Sequence, residues 1–520
     1  MEGPMPGWLA GIRARISRQQ RWAFAGVWAA GLFAHGYMLA NKLPNHDDIA
    51  CFWSKGGSIE LGRWGLGLVE WLDGGFSSPW LLGLLSLLFI SLAAMLLVEL
   101  LRLQSPLFCF LAGSIVVCFP SVISAFAYMF TSDAYMLAFF LTVLAVSLSV
   151  RGGWRRLAAV ACLVLSLGLY QGFLGWAIAL MMYTLLARCL EEDADLRRIF
   201  TDGLWDVGVL AAGVAGYIGL TRLIWAVTGV APSTQYQGVD QLGRLDLQAL
   251  PGQFREAYSL VLNTFRSPSA GACTMFRLRV LLTACLWFAV LLAAARIACQ
   301  FRRGRRPEAL LALVLLLGMP AGINVACLMN SAYVHTLMIY PMCMIPLGAL
   351  AQCEAWNARL PRCKRPAGRR LHTLGRWACA GLAALLASQY ALQANEAYLC
   401  LQINHTRRVS YWTSVVTRIK SLPGYDQWMP VVLITKNAWD RSTPSVWDNM
   451  DHFNDLVGIR MPMNVYSDAA FLNEYLGFVT EFLDPADYKD LEEVQNMPTY
   501  PLDGSVRLID GVIVVKFSDG

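Results

Sequence analysis

The sequence predicts a polytopic α-helical membrane protein of about eleven transmembrane helices, with a small soluble α/β domain at its C-terminal end. Three observations predict it. Apolar residues (AVILMFWYC) fill 56% of the 520 positions and charged residues only 15%, against roughly 25% charged in an ordinary globular chain. Runs of about 20 apolar residues, the length that crosses a bilayer, recur through the first 394 positions. The arginines gather in clusters between those runs, as positive-inside sorting requires. Too little polar side chain remains to cover several water-facing domains. That excludes a soluble enzyme, a disordered chain and a nucleic-acid binder built on a basic surface.

The apolar runs follow in order. The first, 22–40, trails Arg13, Arg15, Arg18 and Arg21. Its apolar part is long and lacks a good small-residue cleavage site, so it reads as a retained anchor. Runs at 79–101, 106–127 and 132–150 come next. The stretch from Leu157 to Ala187 is too long for one span and is interrupted at Tyr170-Gln171-Gly172, which predicts two short helices meeting there. Runs at 203–229, 278–300, 309–329, 334–352 and 377–394 complete the eleven. Further basic clusters lie at Arg151/Arg155/Arg156, at Arg188/Arg197/Arg198, at Arg302/Arg303/Arg305/Arg306 and from Arg359 to Arg376. Eleven spans put all of them on one side, the cytoplasm; ten would divide them. The N-terminus is then cytoplasmic, and the loops 41–78 and 230–277 and the tail 395–520 lie outside.

The net charge of +6 is unevenly spread, because the tail from Glu396 carries about 17 acidic and 10 basic residues. Within it PVVLITK (430–436) reads as a short apolar segment. VRLIDGVIVVKF (506–517) reads as a β-hairpin on an Asp-Gly turn. The 14 cysteines fall mostly inside apolar runs and form no CxxC pair, so neither a disulfide framework nor a zinc site is expected. No internal repeat is visible.

The first outer loop, Asn41 to Leu72, holds the densest chemistry. Asp47 and Asp48 stand a few residues beyond the first span, followed by Lys55, Glu60 and Arg63 and a Trp- and Leu-rich amphipathic segment. Adjacent carboxylates repel, and one pKa can rise toward that of a general base. Equally, Asp-Asp can simply end a helix while the basic residues reach for headgroups. Lys55 and Arg63 are suited to a phosphate, Arg bidentately. The amphipathic segment suits the interface where a lipid substrate arrives. At the same depth stand Asp133 in TSDAYM, an acidic group at a span boundary, or else an N-cap of Ser132-Asp133. Tyr170 and Gln171 occupy the tip between the two short helices, and Asn324, Asn330, Tyr333 and His335 cluster where two spans meet outside. Arg222, costly in lipid, should face a cavity or a partner. Arg255, Arg266, Arg277 and Arg279 fit headgroups better than a reaction.

The segment NHDDI…SKGGSIELGRWGL, with TSDAYM and GLYQGFLGWA, resembles the serotype-converting O-antigen glucosyltransferases of the second type. The likeness spans about the first 190 residues and is loose beyond them. It implies a GT-C fold and a polyprenyl-phosphate-sugar donor, glucose in the best-known members. It further implies transfer to a hydroxyl of a lipid-linked or surface glycan outside the inner membrane. By that resemblance Asp47 or Asp48 is the base and Asp133 a second acidic site residue. Lys55 and Arg63 are its candidates for phosphate contact; by predicted position alone Glu60, Tyr170, Gln171, Arg222 and His335 are further substrate-binding candidates, with an ordinary turn at Tyr170-Gln171 and a structural, hydrogen-bonded His335 as the alternatives. His46-Asp47-Asp48 is compatible with a divalent cation, Mg or Mn, or with none. A flippase and a polyprenyl-phosphate sugar synthase are the implied partners, with no nucleic acid. The alternative is a transporter or lipid-linked-glycan flippase, which would require internal symmetry and midplane charges. An anchored receptor would not need so many spans.

Overall fold

The computed structural model describes residues 16–56, 58–234, 248–266, 276–329, 334–358, 366–434, 456, 458–459 and 465–518. Arg13, Arg15, Asn330, Tyr333 and Arg359 lie outside these residues, as does much of the loop 230–277. The body is helical: α1 Arg18–Ala40, α2 His46–Ala50, α3 Gly65–Asp73, α4 Pro79–Leu100, α5 Pro106–Cys118, α6 Pro120–Ala127, α7 Met129–Arg151, α8 Arg155–Leu169 and α9 Leu174–Cys189. There follow α10 Leu196–Thr228, α11 Leu250–Arg266, α12 Phe276–Arg302, α13 Arg306–Ile323, α14 Val325–Met329, α15 Met344–Asn357 and α16 Pro366–Lys420.

Among the described residues seven helices are long and apolar enough to cross a membrane, and the pair α5 and α6, bent by 42°, makes an eighth. Several apolar helices of this kind make it a membrane protein. The expected eleven is not reached by this measure, for local reasons. α8 has only 15 residues, although the predicted break is present: α8 stops at Leu169, Tyr170 is extended and Gln171–Phe173 is a 3₁₀ turn leading into α9. The run 334–352 opens as turns and a 3₁₀ segment, Tyr340–Cys343, before α15 begins with only 14 residues. The run 309–329 is divided at Asn324. The run 377–394 is part of a 55-residue helix that continues to Lys420, so no break in α16 marks the expected domain boundary at 394.

Small residues let the first elements approach closely. A Cβ on Gly26 would sit 2.1 Å from the Phe110 carbonyl oxygen, and one on Gly113 2.3 Å from that of Ala23. α1 and α5 therefore cross backbone to backbone, as small residues permit in membrane helices. His35 of α1 bonds Tyr398 of α16 at 2.7 Å and the Val117 carbonyl of α5 at 2.8 Å, tying three helices together.

Beyond α16 lie β1 Val431–Ile434, α17 Val465–Leu476, α18 Glu492–Gln495, β2 Val506–Ile509 and β3 Val512–Lys516. The sheet order is β1-β3-β2, with β1 parallel and β2 antiparallel to β3. The expected hairpin is present, with Asp510 and Gly511 both at positive φ (46° and 81°), the signature of a type I′ turn. β3 is buried along its length because both faces are covered. Ile513 and Val515 join Trp412 of α16 and Phe471 of α17, while Val512 and Val514 join Val494 of α18. Ile49 of α2 enters the first of these clusters, so this domain packs directly on the Asp47-Asp48 helix.

Candidate active site

α2 exists because Asn45 caps it. The Asn45 side-chain oxygen accepts from the Asp47 and Asp48 amides at 3.0 and 2.8 Å, and two acids in the first turn suit the positive end of a helix. That turn sends the two carboxylates apart. Asp48 is fully buried; Asp47 keeps 37% of its side chain exposed and lies 3.3 Å from His46 Nε2.

Asp48 is saturated. Lys42 Nζ lies 2.6 Å from one carboxylate oxygen, and the Ser77 hydroxyl donates to the other at 2.5 Å. The Phe130 amide, at the N-terminal end of α7, donates to the same oxygen at 3.0 Å. Lys42 also donates to Ser77 at 2.6 Å and stands 4.6 Å over the Phe52 ring. Burial lowers the Lys42 pKa, and the charge of Asp48 opposes that shift. Burial also keeps His46 neutral further into the acid range, against the pull of Asp47.

The second half of the site is centred on Lys55, also buried. Its ammonium lies 2.7 Å from Asp73 and 2.9 Å from Asp133 and donates to the Phe130 carbonyl at 3.0 Å, while its backbone N–H donates to Glu70 at 3.0 Å. The Phe130 backbone thus joins the two ion-paired groups: its N–H serves Asp48 and its C=O serves Lys55. An ammonium has three donors. Lys55 gives two of them to Asp133 and the Phe130 carbonyl, and it holds Asp73 as an ion pair.

Arg63 is half-buried, donates to the Tyr135 hydroxyl at 3.1 Å and stands 5.2 Å over the Tyr170 ring, which stacks on Tyr135 at 4.4 Å. His335, half-buried, lies within reach of the Arg63 charge. Gln171 donates to the Leu61 carbonyl at 3.0 Å and to the Tyr217 hydroxyl at 2.7 Å, and Trp225 donates to the Ile59 carbonyl at 2.7 Å. These bonds hold the loop 58–64 against α10. Gly62 is required there: its φ is +70°, and a Cβ would lie 2.6 Å from the Tyr217 oxygen. Glu60 is exposed and takes part through its backbone carbonyl, which accepts from Ser233. Arg222, expected to face a cavity or a partner, is exposed on α10. Asn324 is buried and donates to the Ala257 carbonyl at 3.0 Å.

Sequence reasoning missed Lys42, Asp73 and Ser77. A lysine two residues past a span reads as a headgroup contact, and Ser77 as part of a loop; only their convergence on Asp48 marks them. Among the described residues no three His, Cys, Asp or Glu side chains come together to hold a metal ion.

The model of the Glucosyl transferase GtrII family matches residues 36–346, more than half of the chain. The chain belongs to that family. The GtrII match takes in both ion-paired groups, Arg63, Tyr170 and His335, and stops before α16 and the sheet domain. Membership makes the protein a glucosyltransferase. Neither curated proteins nor solved structures gave a match.

Proposed function

We propose that this GtrII member transfers glucose from a polyprenyl-phosphate donor to a hydroxyl of a surface glycan such as O-antigen, with inversion, in a GT-C-like active site on the outer side of the inner membrane. Asp47 is the base. The observation that carries this reading is the difference in exposure among the acids: Asp47 keeps 37% of its side chain exposed, while Asp48 and Asp133 are buried on lysines. A general base must come within hydrogen-bond reach of the proton it takes.

In the proposed step Asp47 removes the acceptor O–H proton as that oxygen bonds to the anomeric carbon. The bond from that carbon to the phosphate oxygen breaks, and its electron pair leaves on the lipid phosphate. Lys42, with 24% of its side chain exposed and two of its three donors already placed, offers the third to that phosphate. Arg63, which donates to the Tyr135 hydroxyl, is the second candidate, since a guanidinium matches a phosphate bidentately. A polyprenyl-phosphate sugar synthase and a flippase would supply the donor.

Transfer from undecaprenyl-phosphate-glucose tests the assignment. Asp47→Asn is expected to lose about 10²–10⁴-fold in kcat, the usual contribution of a general base, with its thermal unfolding unchanged. Asp48→Asn is expected to lose stability as well. Wild-type turnover in the Asp47 variant would remove Asp47 from the mechanism.

A further inference from the structure

The end of the bundle opposite Asp47 holds a cavity of about 710 Å³ that the transfer reaction does not use. α4 starts beside Ser77, a hydrogen-bond partner of Asp48, and ends at the cavity wall with Leu101. Its 22 residues separate the two sites by about 33 Å at 1.5 Å per residue. Three guanidinium groups border the cavity, those of Arg102, Arg296 and Arg376, with two carboxylates, Glu191 and Glu354. Glu191 is ion-paired with Arg102, and Glu354 accepts from the Ser105 amide at 3.1 Å. Cations are therefore in excess at this wall.

Arg296 is the informative residue. It lies within a membrane-length helix and is only 5% exposed. It donates to the Gln352 side chain at 2.6 Å and to the Leu190 carbonyl at 3.4 Å. A buried cation within such a helix is costly and marks a functional site by default. Arg376, exposed on α16, donates to the Ser105 hydroxyl at 2.9 Å. Ser105 stands at the N-terminal end of α5, where the Glu354 carboxylate already meets its amide. The rest of the wall is largely apolar, including Leu101, Leu107 and Trp377. A charged recess joined to an apolar wall between helices fits a phosphate carried on an acyl tail.

We infer that this cavity binds the phosphodiester headgroup of an anionic glycerophospholipid, held by Arg296 and Arg376 with its acyl chains along Trp377 and Leu107. The inference is independent of the transfer reaction, and its test needs no activity measurement. The full chain, purified in detergent, would be titrated with phosphatidylglycerol and with phosphatidylcholine and the bound lipid counted by native mass spectrometry. Phosphatidylglycerol is expected to be retained preferentially, and Arg376→Gln to weaken it roughly tenfold, the loss of one charge-assisted hydrogen bond. Arg376→Lys should keep part of the preference. Arg296→Gln is the stronger variant, but Arg296 also contacts the end of α9, so the exposed Arg376 carries the test. Equal retention of the two lipids would overturn the inference, as would an unchanged preference in both glutamine variants. Displacement of the lipid by inorganic phosphate alone would assign the recess to free phosphate and overturn the lipid reading.

Discussion

Lys55 shows how one side chain can decide what its neighbours do. It faces two carboxylates, Asp73 and Asp133, and all three groups are nearly sealed from water. Removing the cation leaves two buried anions facing each other, whereas removing one anion leaves a simple ion pair. Lys55→Met is therefore expected to cost about 3–5 kcal/mol, the range for breaking a buried pair, and Asp133→Asn distinctly less. Thermal unfolding in detergent separates the two; equal losses would mean that Asp133 alone neutralises Lys55. The candidate carboxylates themselves were legible in the sequence, because charges are rare in an apolar chain and Asp47-Asp48 follows a span. Their roles were not legible. Adjacent residues in a helical turn point about 100° apart, and which of the pair is buried depends on Lys42, Ser77 and the end of α7, three different segments.

At the scale of elements, glycine placement fixes how α1 meets α5. Replacing Gly26 by Leu puts side-chain atoms where the Phe110 carbonyl stands, so the helices must separate. The cost is expected at or above the roughly 1–3 kcal/mol of ordinary overpacking. Gly36, on the same helix, has open space where its Cβ would go. Gly36→Ala should be tolerated or slightly stabilising, and the contrast is read from folded yield and melting temperature. Equal effects at the two glycines would rule out a close α1–α5 crossing. The break at Tyr170-Gln171-Gly172 and the Asp-Gly hairpin were readable because both are local signals. The shortness of α15 was not, since the run 334–352 is apolar apart from His335, Thr336 and Gln352, and hydropathy does not register the turns before Pro341.

For the whole molecule, the contact between α2 and the sheet domain brings titratable groups into a buried place. Burial raises the Asp468 pKa to about 7, against the pull of Arg408. Burial lowers the His405 pKa to about 4, and Arg408 adds to that. The signs oppose each other. Asp468 holds its proton in the fold and loses it unfolded between about pH 4 and 7, so its contribution falls as pH rises through that window. His405 is neutral in the fold and protonated unfolded between about pH 4 and 6.5, so its contribution rises with pH there. Relative to wild type, Asp468→Asn is expected to make stability climb more steeply from pH 4 to 6.5, and His405→Gln to make it decline. Melting temperatures across that range test both; parallel curves for all three proteins would show that neither group is buried as described.

By itself the sequence determined the class of the protein and the outline of its site. Apolar runs and basic clusters depend on composition along the chain, and the motifs around Asp47, Asp133 and Tyr170 depend on short spacings, so both are visible without folding. Tertiary structure alone decided which of the two adjacent carboxylates is buried and that Lys55 is sealed between Asp73 and Asp133. It also decided that the C-terminal domain rests on α2 and that three distant arginines share one cavity. Each of these is set by groups far apart in sequence meeting in space, several of them in a poorly solvated place. There a charge stays where it is only if another segment supplies its partner.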